Sequence, residues 1–511
     1  MKKPVALLTA LAAAVMQLSA LPAETVSAYD YEFEKSLTLA GFPESYKPAL
    51  RALHEQHPSW VFTAVKTGLD WEYVVRQESA LGKNVVHTSS ADSWKSYEKG
   101  AYDPETGEWY GFDGVWWLQA SDSILRYYLD PRNFLDDTNV FMFESLSYQP
   151  GMQTREGVYE ILKDTFMRGD YTCPDTGEVK NYIDTFMEAA EISGVSPYHL
   201  AVSCRLEQGV NGSPQSLGTA VGYEGYFNFF DIQAYATATL NAGQQGARYA
   251  KTVNPTYMLP WTNQYKSIIG GAIYVGSGYI TKDQDCYYLQ KFDVTDGGNG
   301  YFYHQYMSCV YGQALLGSTM KRAYSAELLA SPLQFRIPVY ENMPAAASPK
   351  PADNVNGNDL LSSLTVAGQT VREKFSAYTT AYSVDVPYDV SSVTVYAKAY
   401  DGKAKVTGAG SVDLKEGKNA VPVTVTASDG SKRVYTLTIT RAKAPALSKG
   451  DVNGDRSITV VDALMILKHH AGQQTLTGEA LKRADADGSG TVDILDALRL
   501  LRYISGKSKT L

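Results

Sequence analysis

The spacing of apolar residues changes character twice along this chain. Up to about residue 340 apolar positions recur at helical spacing, in runs broken by aromatic, turn-rich pieces. Tyr46 to His57, followed by Trp60-Val61-Phe62, predicts a helix and then a strand. Ile124 to Asp130 predicts a helix that Pro131 stops. Val158 to Met167 and Tyr182 to Ile192 predict two more helices. From residue 359 to about 442 the pattern alternates instead. SLTVAG, AYSVDVPYD, SSVTVYAKA, NAVPVTVTASDG and RVYTLTITR are five strand candidates separated by Gly, Asp and Pro turns, the pattern of an immunoglobulin-like sandwich. From Gly450 the spacing is helical again and duplicated, with an offset of 34 residues between Asp451 and Asp485.

The junctions suggest domain boundaries. ENMPAAASPKPADNVNGN, residues 341–358, has neither period and reads as an extended, semi-rigid linker. A second short linker falls at 443–449, before a module at 450–507. Residues 29–340 are then one mostly helical region, with a small β region expected near Gly212 to Phe230. The first 28 residues carry Lys2 and Lys3, an apolar run from Val5 to Val15 and a Val26-Ser27-Ala28 cleavage site. That is the pattern of a secretory leader, which implies an extracellular protein. No later segment has the apolar length of a membrane span.

Composition narrows the function classes. A chain of 511 residues is too long for one domain, and 44% hydrophobic content is ample for packed cores. The net charge of −9 argues against nucleic acid and anionic membrane surfaces as partners. Tyrosine is abundant, at 37 residues, as on surfaces that bind carbohydrate. Cys173, Cys204, Cys286 and Cys309 show no zinc-ligand spacing and support no particular pairing.

Candidate chemistry concentrates between Val202 and Tyr235, VSCRLEQGVNGSPQSLGTAVGYEGYFNFFDIQAY. Ser196 is a good N-cap, Pro197 fits the first helical position and Gly209 can end the helix. Glu207 then sits in the last turn, where the helix dipole and partial burial among aromatics both disfavour its anion. A carboxyl held protonated near neutral pH suits a general acid at a glycosidic oxygen.

This segment resembles the exported endo-β-N-acetylglucosaminidases of bacterial autolysins, glycoside hydrolase family 73. FPESYKPALRALHEQHPSWVF, YYLDPRNFL, PWTNQYKSIIGGAIYVGSGYITKDQDCYYLQKFDV and HQYM agree, over most of residues 40 to 315. The resemblance implies a lysozyme-like α+β fold, its cleft between a helical body and a β-hairpin lobe, with peptidoglycan or a related N-acetylglucosamine polymer as substrate. It implies that Glu207 is the general acid. The second group stays open between Glu224 activating water, Tyr279 stabilising the developing cation, and the substrate's own acetamide oxygen. Asn228, Phe229 and Phe230 are candidates for the substrate-binding cleft floor and the core behind it rather than for chemistry. DQDC, from Asp283 to Cys286, stands where a Gly-Gln pair is expected. A muramidase or lytic transglycosylase of the same fold, and a catalytically silent glycan-binding scaffold component, are the alternatives.

The C-terminal repeat carries two EF-hand-type loops. Oxygen side chains stand at loop positions 1, 3, 5, 9 and 12: Asp451, Asn453, Asp455, Thr459 and Asp462, then Asp485, Asp487, Ser489, Asp493 and Asp496. Ser457 and Thr491 at position 7 offer backbone carbonyls. The spacing predicts two calcium ions. The tandem closely resembles the dockerin family, and the sandwich resembles the cadherin-like modules of bacterial surface proteins. A dockerin implies a cohesin partner on a scaffold such as a cellulosome. The family places its recognition pairs at Val460-Val461 and Ile494-Leu495, and Lys468 and Arg502 occupy equivalent helix positions.

Overall fold

The structure, a computed structural model, describes residues 31–298 and 300–511. The leader expected at 1–28 lies outside the described residues. The chain divides into two compact units, one ending at Gly357 and the other beginning at Asn358.

Helices dominate the first unit: α1 (Lys47–Gln56), α2 (Asp122–Leu129), α3 (Arg155–Leu162), α4 (Tyr182–Ser193), α5 (Pro197–Gln208) and α6 (Gln264–Gly278). Side-chain caps set several starts, Ser121 for α2, Thr154 for α3 and Asn181 for α4. Strand β1 (Val61–Asp70) pairs in parallel with a distant strand, Gln334–Glu341. Between them in sequence, β2 (Val85–His87) pairs with β3 (Trp117–Gln119), and Gln334–Glu341 is therefore β4. One large core joins Trp60, Trp71, Phe141, Phe143, Phe186, Tyr198, Phe229 and Tyr288. Helix α4 packs on α6, and α5 on α3.

Two expectations are corrected here. No strand forms between Gln208 and Ala242. Gly209, Gly212, Gly218, Gly222 and Gly225 all take positive φ, so the segment is a series of turns where a hairpin lobe was expected. The Pro/Ala segment is no free linker at its start. Arg132 donates to the carbonyls of Pro344, Ala345 and Ala346 at 2.8–3.3 Å. Asn133 donates to Ser348 O at 2.7 Å, and Ser348 N–H donates to the Asp130 carboxylate at 2.9 Å. Residues 344–348 are thus strapped to the first unit.

The second unit holds a seven-stranded sandwich and a small helical module. The strands are β5 (Leu361–Val366), β6 (Ala381–Val386), β7 (Ser392–Ala399), β8 (Lys405–Thr407), β9 (Gly410–Asp413), β10 (Gly417–Thr426) and β11 (Lys432–Arg441). They form sheets in the orders β6-β11-β10-β8 and β9-β7-β5. The five alternating segments are the long strands; β8 and β9 are too short to show a period. In the final module α7 (Val460–His470) packs on α8 (Ile494–Ile504) through Ile466, Ala463, Ala497 and Leu500.

Candidate active site

Helix α5 forms as its sequence dictates. Ser196 Oγ accepts the His199 N–H at 3.3 Å, Pro197 opens the helix, and Gly209 ends it at φ +68°. Tyr198, Leu200, Ala201, Val202 and Cys204 are buried, leaving Leu206 and Glu207 in the last turn facing outward. Burial of part of the Glu207 carboxyl, then the charge of Asp231 and a hydrogen bond to its carboxyl, push its pKa up.

Asp231 is the partner that the sequence pattern does not single out. Its only signal is an acid directly after the aromatic block. It holds φ +48°, a left-handed conformation that Asp tolerates better than most residues. Asp231 Oδ1 accepts from Gln208 Nε2 at 2.9 Å and Gln215 Nε2 at 2.6 Å. Desolvation raises the Asp231 pKa, while the bonds from Gln208 and Glu207 favour its anion. The two carboxyls lie against one another, and Asp231 disfavours the ionisation of Glu207 beyond what burial does.

Asn228, Phe229 and Phe230 serve this pair from behind. Asn228 is fully buried; Nδ2 donates to Ile232 O at 2.8 Å and Gly246 O at 3.2 Å, and Oδ1 accepts from Ile232 N–H at 3.1 Å. Those bonds tie down the turn that presents Asp231. Phe229 is in the core against Phe166 and Tyr182, and its carbonyl accepts from Gln208 at 3.0 Å. Of the floor-and-core role expected for them, Asn228 and Phe229 take the core part, since neither reaches solvent. Phe230 is half-buried and lies on Gly271, where a Cβ would meet the Phe230 ring at 2.4 Å. Beside Gln215 opens a depression of about 550 Å³ lined by Pro214, Val221, Asn241 and Gln244.

Glu224 is exposed, and its own N–H and that of Gly222, at 3.1 Å, hold its carboxyl below the usual range. Among the described residues no hydrogen bond joins it to Glu207 or Asp231. Tyr279 follows α6, stacked on His304 at 4.4 Å and edge-on to Tyr306 at 5.9 Å. Burial raises its phenol pKa. Gln284 bonds both His304 Nδ1 and His304 O at 2.7 Å, bracing this wall. The departure in DQDC has a physical account. Asp283 takes φ +59°, a conformation glycine would adopt freely, and pairs with Arg336 at 3.0 Å.

The C-terminal loops gather oxygen donors. Asp451, Asp462 and Asp496 are fully buried, and among the described residues no lysine or arginine side chain pairs with them. Asp451 accepts from Gly454 and Arg456 N–H, and Asp485 from Gly488, Ser489 and Gly490 N–H, all at 2.8–3.0 Å. Asp462 closes its loop onto Val452, Asn453 and Thr459 N–H. Asp485, Asp487 and Asp496 bring carboxylate oxygens within 4.8 Å of one another. An all-oxygen donor set of that density fits a hard divalent cation such as calcium. Val460, Val461, Ile494 and Leu495 are 50–61% exposed, with Lys468 and Arg502 exposed beside them.

Comparison with known proteins accords with these modules. Residues 449–505 match the dockerin type I domain, and residues 361–442 match the cadherin-like β-sandwich domain. The chain is 29% identical over 183 residues to the β-N-acetylglucosaminidase of Bacillus subtilis (strain 168), covering 35% of this chain and 18% of that protein. It is 25% identical over 236 residues to the bifunctional autolysin of Staphylococcus epidermidis, covering 44% of this chain and 16% of that protein. The chain thus spans less than a fifth of the length of these relatives. A crystal structure of a major bifunctional autolysin is similar at 20% identity and TM-score 0.38, covering 55% of this chain and 99% of that one. The autolysin-type resemblance, the sandwich and the dockerin expected from sequence are all met in these similarities.

Proposed function

We propose that the first unit hydrolyses the β-1,4 bond following N-acetylglucosamine in peptidoglycan strands, and that the dockerin tethers it outside the cell to a cohesin-bearing scaffold. The observation that carries the catalytic part is the placing of the Glu207 carboxyl at the open end of α5 against the Asp231 carboxyl, where partial burial and that neighbour both push its pKa up. Glu207 delivers that proton to the glycosidic oxygen as the bond breaks. Gln208 and Gln215 donate to Asp231 Oδ1, and negative charge on Asp231 disfavours the Glu207 carboxylate left behind, so the acid recovers its proton for the next cycle. Glu224, kept ionised by backbone N–H groups, is the base that activates water unless the substrate's acetamide attacks first. Tyr279 supports the cleft wall.

In the dockerin, Asp451, Asn453, Asp455, Asp462, Asp485, Asp487, Ser489 and Asp496 would hold two calcium ions, with Ser457, Thr459, Thr491 and Asp493 completing the loops. The exposed apolar pairs and Lys468 and Arg502 would face the cohesin.

Mass spectrometry of fragments released from purified cell wall tests the assignment. Reducing-end N-acetylglucosamine is expected. Reducing-end muramic acid or its anhydro form would replace this reading with a muramidase or a lytic transglycosylase.

A further inference from the structure

A run of aromatic rings lies outside the acid site. Tyr128 and Trp94 have ring centres 6.0 Å apart, Trp94 and Tyr311 6.2 Å, and Tyr311 and Trp117 6.4 Å. Trp117 meets His87 at 5.5 Å, and His87 stacks on Trp116 at 6.3 Å. Trp116 is 63% exposed, an unusual state for the largest side chain unless something covers it. At the other end Trp94, Tyr128 and Tyr311 line a depression of about 590 Å³. Its rim is polar: Ser89, Ser90, Lys350 and Asp353. Lys350 sits 4.9 Å over the Trp94 ring, carried there by the strap that Asp130 and Asn133 hold.

The run is joined to the candidate cleft by one stretch of chain. His304 and Tyr306 pack against Tyr279. A few residues on, Ser308 O accepts from Val85 N–H and Val310 N–H donates to Val85 O, both at 3.0 Å. Ser308 Oγ also bonds Asp113 at 2.7 Å. Thus 304–311 carries the cleft wall at one end and Tyr311 of the aromatic run at the other, alongside the strand that ends in His87.

We propose that this aromatic run is a distal glycan-binding track, holding a β-linked N-acetyl-aminosugar strand several sugars away from the bond being cut. The proposal rests on the function assigned above. Its chemistry is that of the ligand. A β-linked pyranose presents C–H bonds on its faces and hydroxyls around its edge. Aromatic floors with a sparse rim of hydroxyl, ammonium and carboxylate groups match both. A linear polymer needs successive platforms, and the linked rings from Tyr128 to Trp116 supply them, tied to the cleft wall through residues 304–311.

The test uses the full chain with Glu207→Gln, so that binding is read without turnover. Binding to insoluble peptidoglycan and to β-1,4-linked N-acetylglucosamine oligomers of increasing length is compared with and without Trp116→Ala or Lys350→Ala. Trp116 is exposed, so its removal spares the core; melting curves verify this. With the track in place affinity rises with oligomer length. Trp116→Ala is expected to abolish that rise and weaken polymer binding about tenfold, the loss of one good aromatic contact. In the otherwise unaltered enzyme the same change should raise KM for polymer. Unchanged length dependence and polymer KM in both variants would overturn the track. So would loss of binding to stem peptides with glycan binding intact. Turnover that survives Glu207→Gln would instead overturn the function assigned to the acid, leaving the length-dependent binding to stand or fall separately.

Discussion

The two units solve one electrostatic problem in opposite ways. Each brings carboxyl groups together. In the first unit the pair is Glu207 and Asp231, half-dry, with two glutamine amides as donors and no lysine or arginine pairing with either among the described residues. There burial and the neighbouring carboxyl both push the Glu207 pKa up, so the pair favours a proton. In the dockerin, Asp485, Asp487 and Asp496 converge in a loop whose N–H groups already solvate their anions. There the expected remedy is a cation. A raised pKa suits a group proposed to give a proton away; a cation suits a loop whose shape must persist.

The largest effect that would break this contrast is on the proton side. Glu207→Gln keeps the shape and removes the proton, and release of soluble muropeptides should fall by about 10²–10⁴. A folded Glu207→Gln protein with ordinary turnover would place the acid elsewhere. Next comes the cation side. Chelation should destabilise residues 450–506 by about 2.7 kcal/mol where free calcium stood at a hundred times Kd, and with the loosened loops cohesin binding should go. Hydrogen exchange over the two loops reads this directly. Asp485→Ala should produce only part of the loss, since the Asp451 loop remains.

Asp231→Asn sharpens the comparison at smaller amplitude. Asn accepts the left-handed conformation but carries no charge. The Glu207 pKa should then fall, because one of its raising causes is gone. Activity depends on the protonated acid and is lost as pH rises through that pKa. The alkaline limb of the pH–rate profile should therefore move to lower pH, with a smaller loss than Glu207→Gln causes. An unmoved limb would separate Asp231 from the acid.

The smallest effect concerns Arg456, at loop position 6, held at φ +70°. Its guanidinium lies 4.8 Å over the Tyr388 ring of the sandwich, with Arg441 at 4.9 Å from the same ring. Its Nη2 bonds Tyr388 Oη at 3.2 Å. The stack offsets a backbone cost of roughly 1–2 kcal/mol for a side-chain-bearing residue there. Tyr388→Ala should cost about 1 kcal/mol in denaturant unfolding of the second unit, and adding Arg456→Gly should restore most of it. Additive losses would dismiss the compensation.

Much was legible in the residues themselves. Ser196, Pro197 and Gly209 bound α5 as local chemistry requires, and five alternating segments became the long strands of the sandwich. The dockerin module was legible because its acidic loop and helix come twice at a fixed offset. The Gly-rich turns between Gly212 and Phe230 misled in the direction of a hairpin, since glycine marks a turn without saying whether strands flank it.

Residues and their near neighbours fix the local features: caps, periods, loop donors and the dipole that acts on Glu207. Tertiary structure alone decided which group faces that acid. Asp231 lies 24 positions further on and meets Glu207 only because Asn228 clamps its turn and Gln208 and Gln215 reach across to it. It likewise assigned Asn228 and Phe229 to the framework, strapped the Pro/Ala segment to Arg132, and linked aromatics from residues 87 to 311. Helix and strand periods depend on neighbours three or two residues away, whereas a carboxyl pair or a set of linked aromatics depends on which distant segments the core brings together.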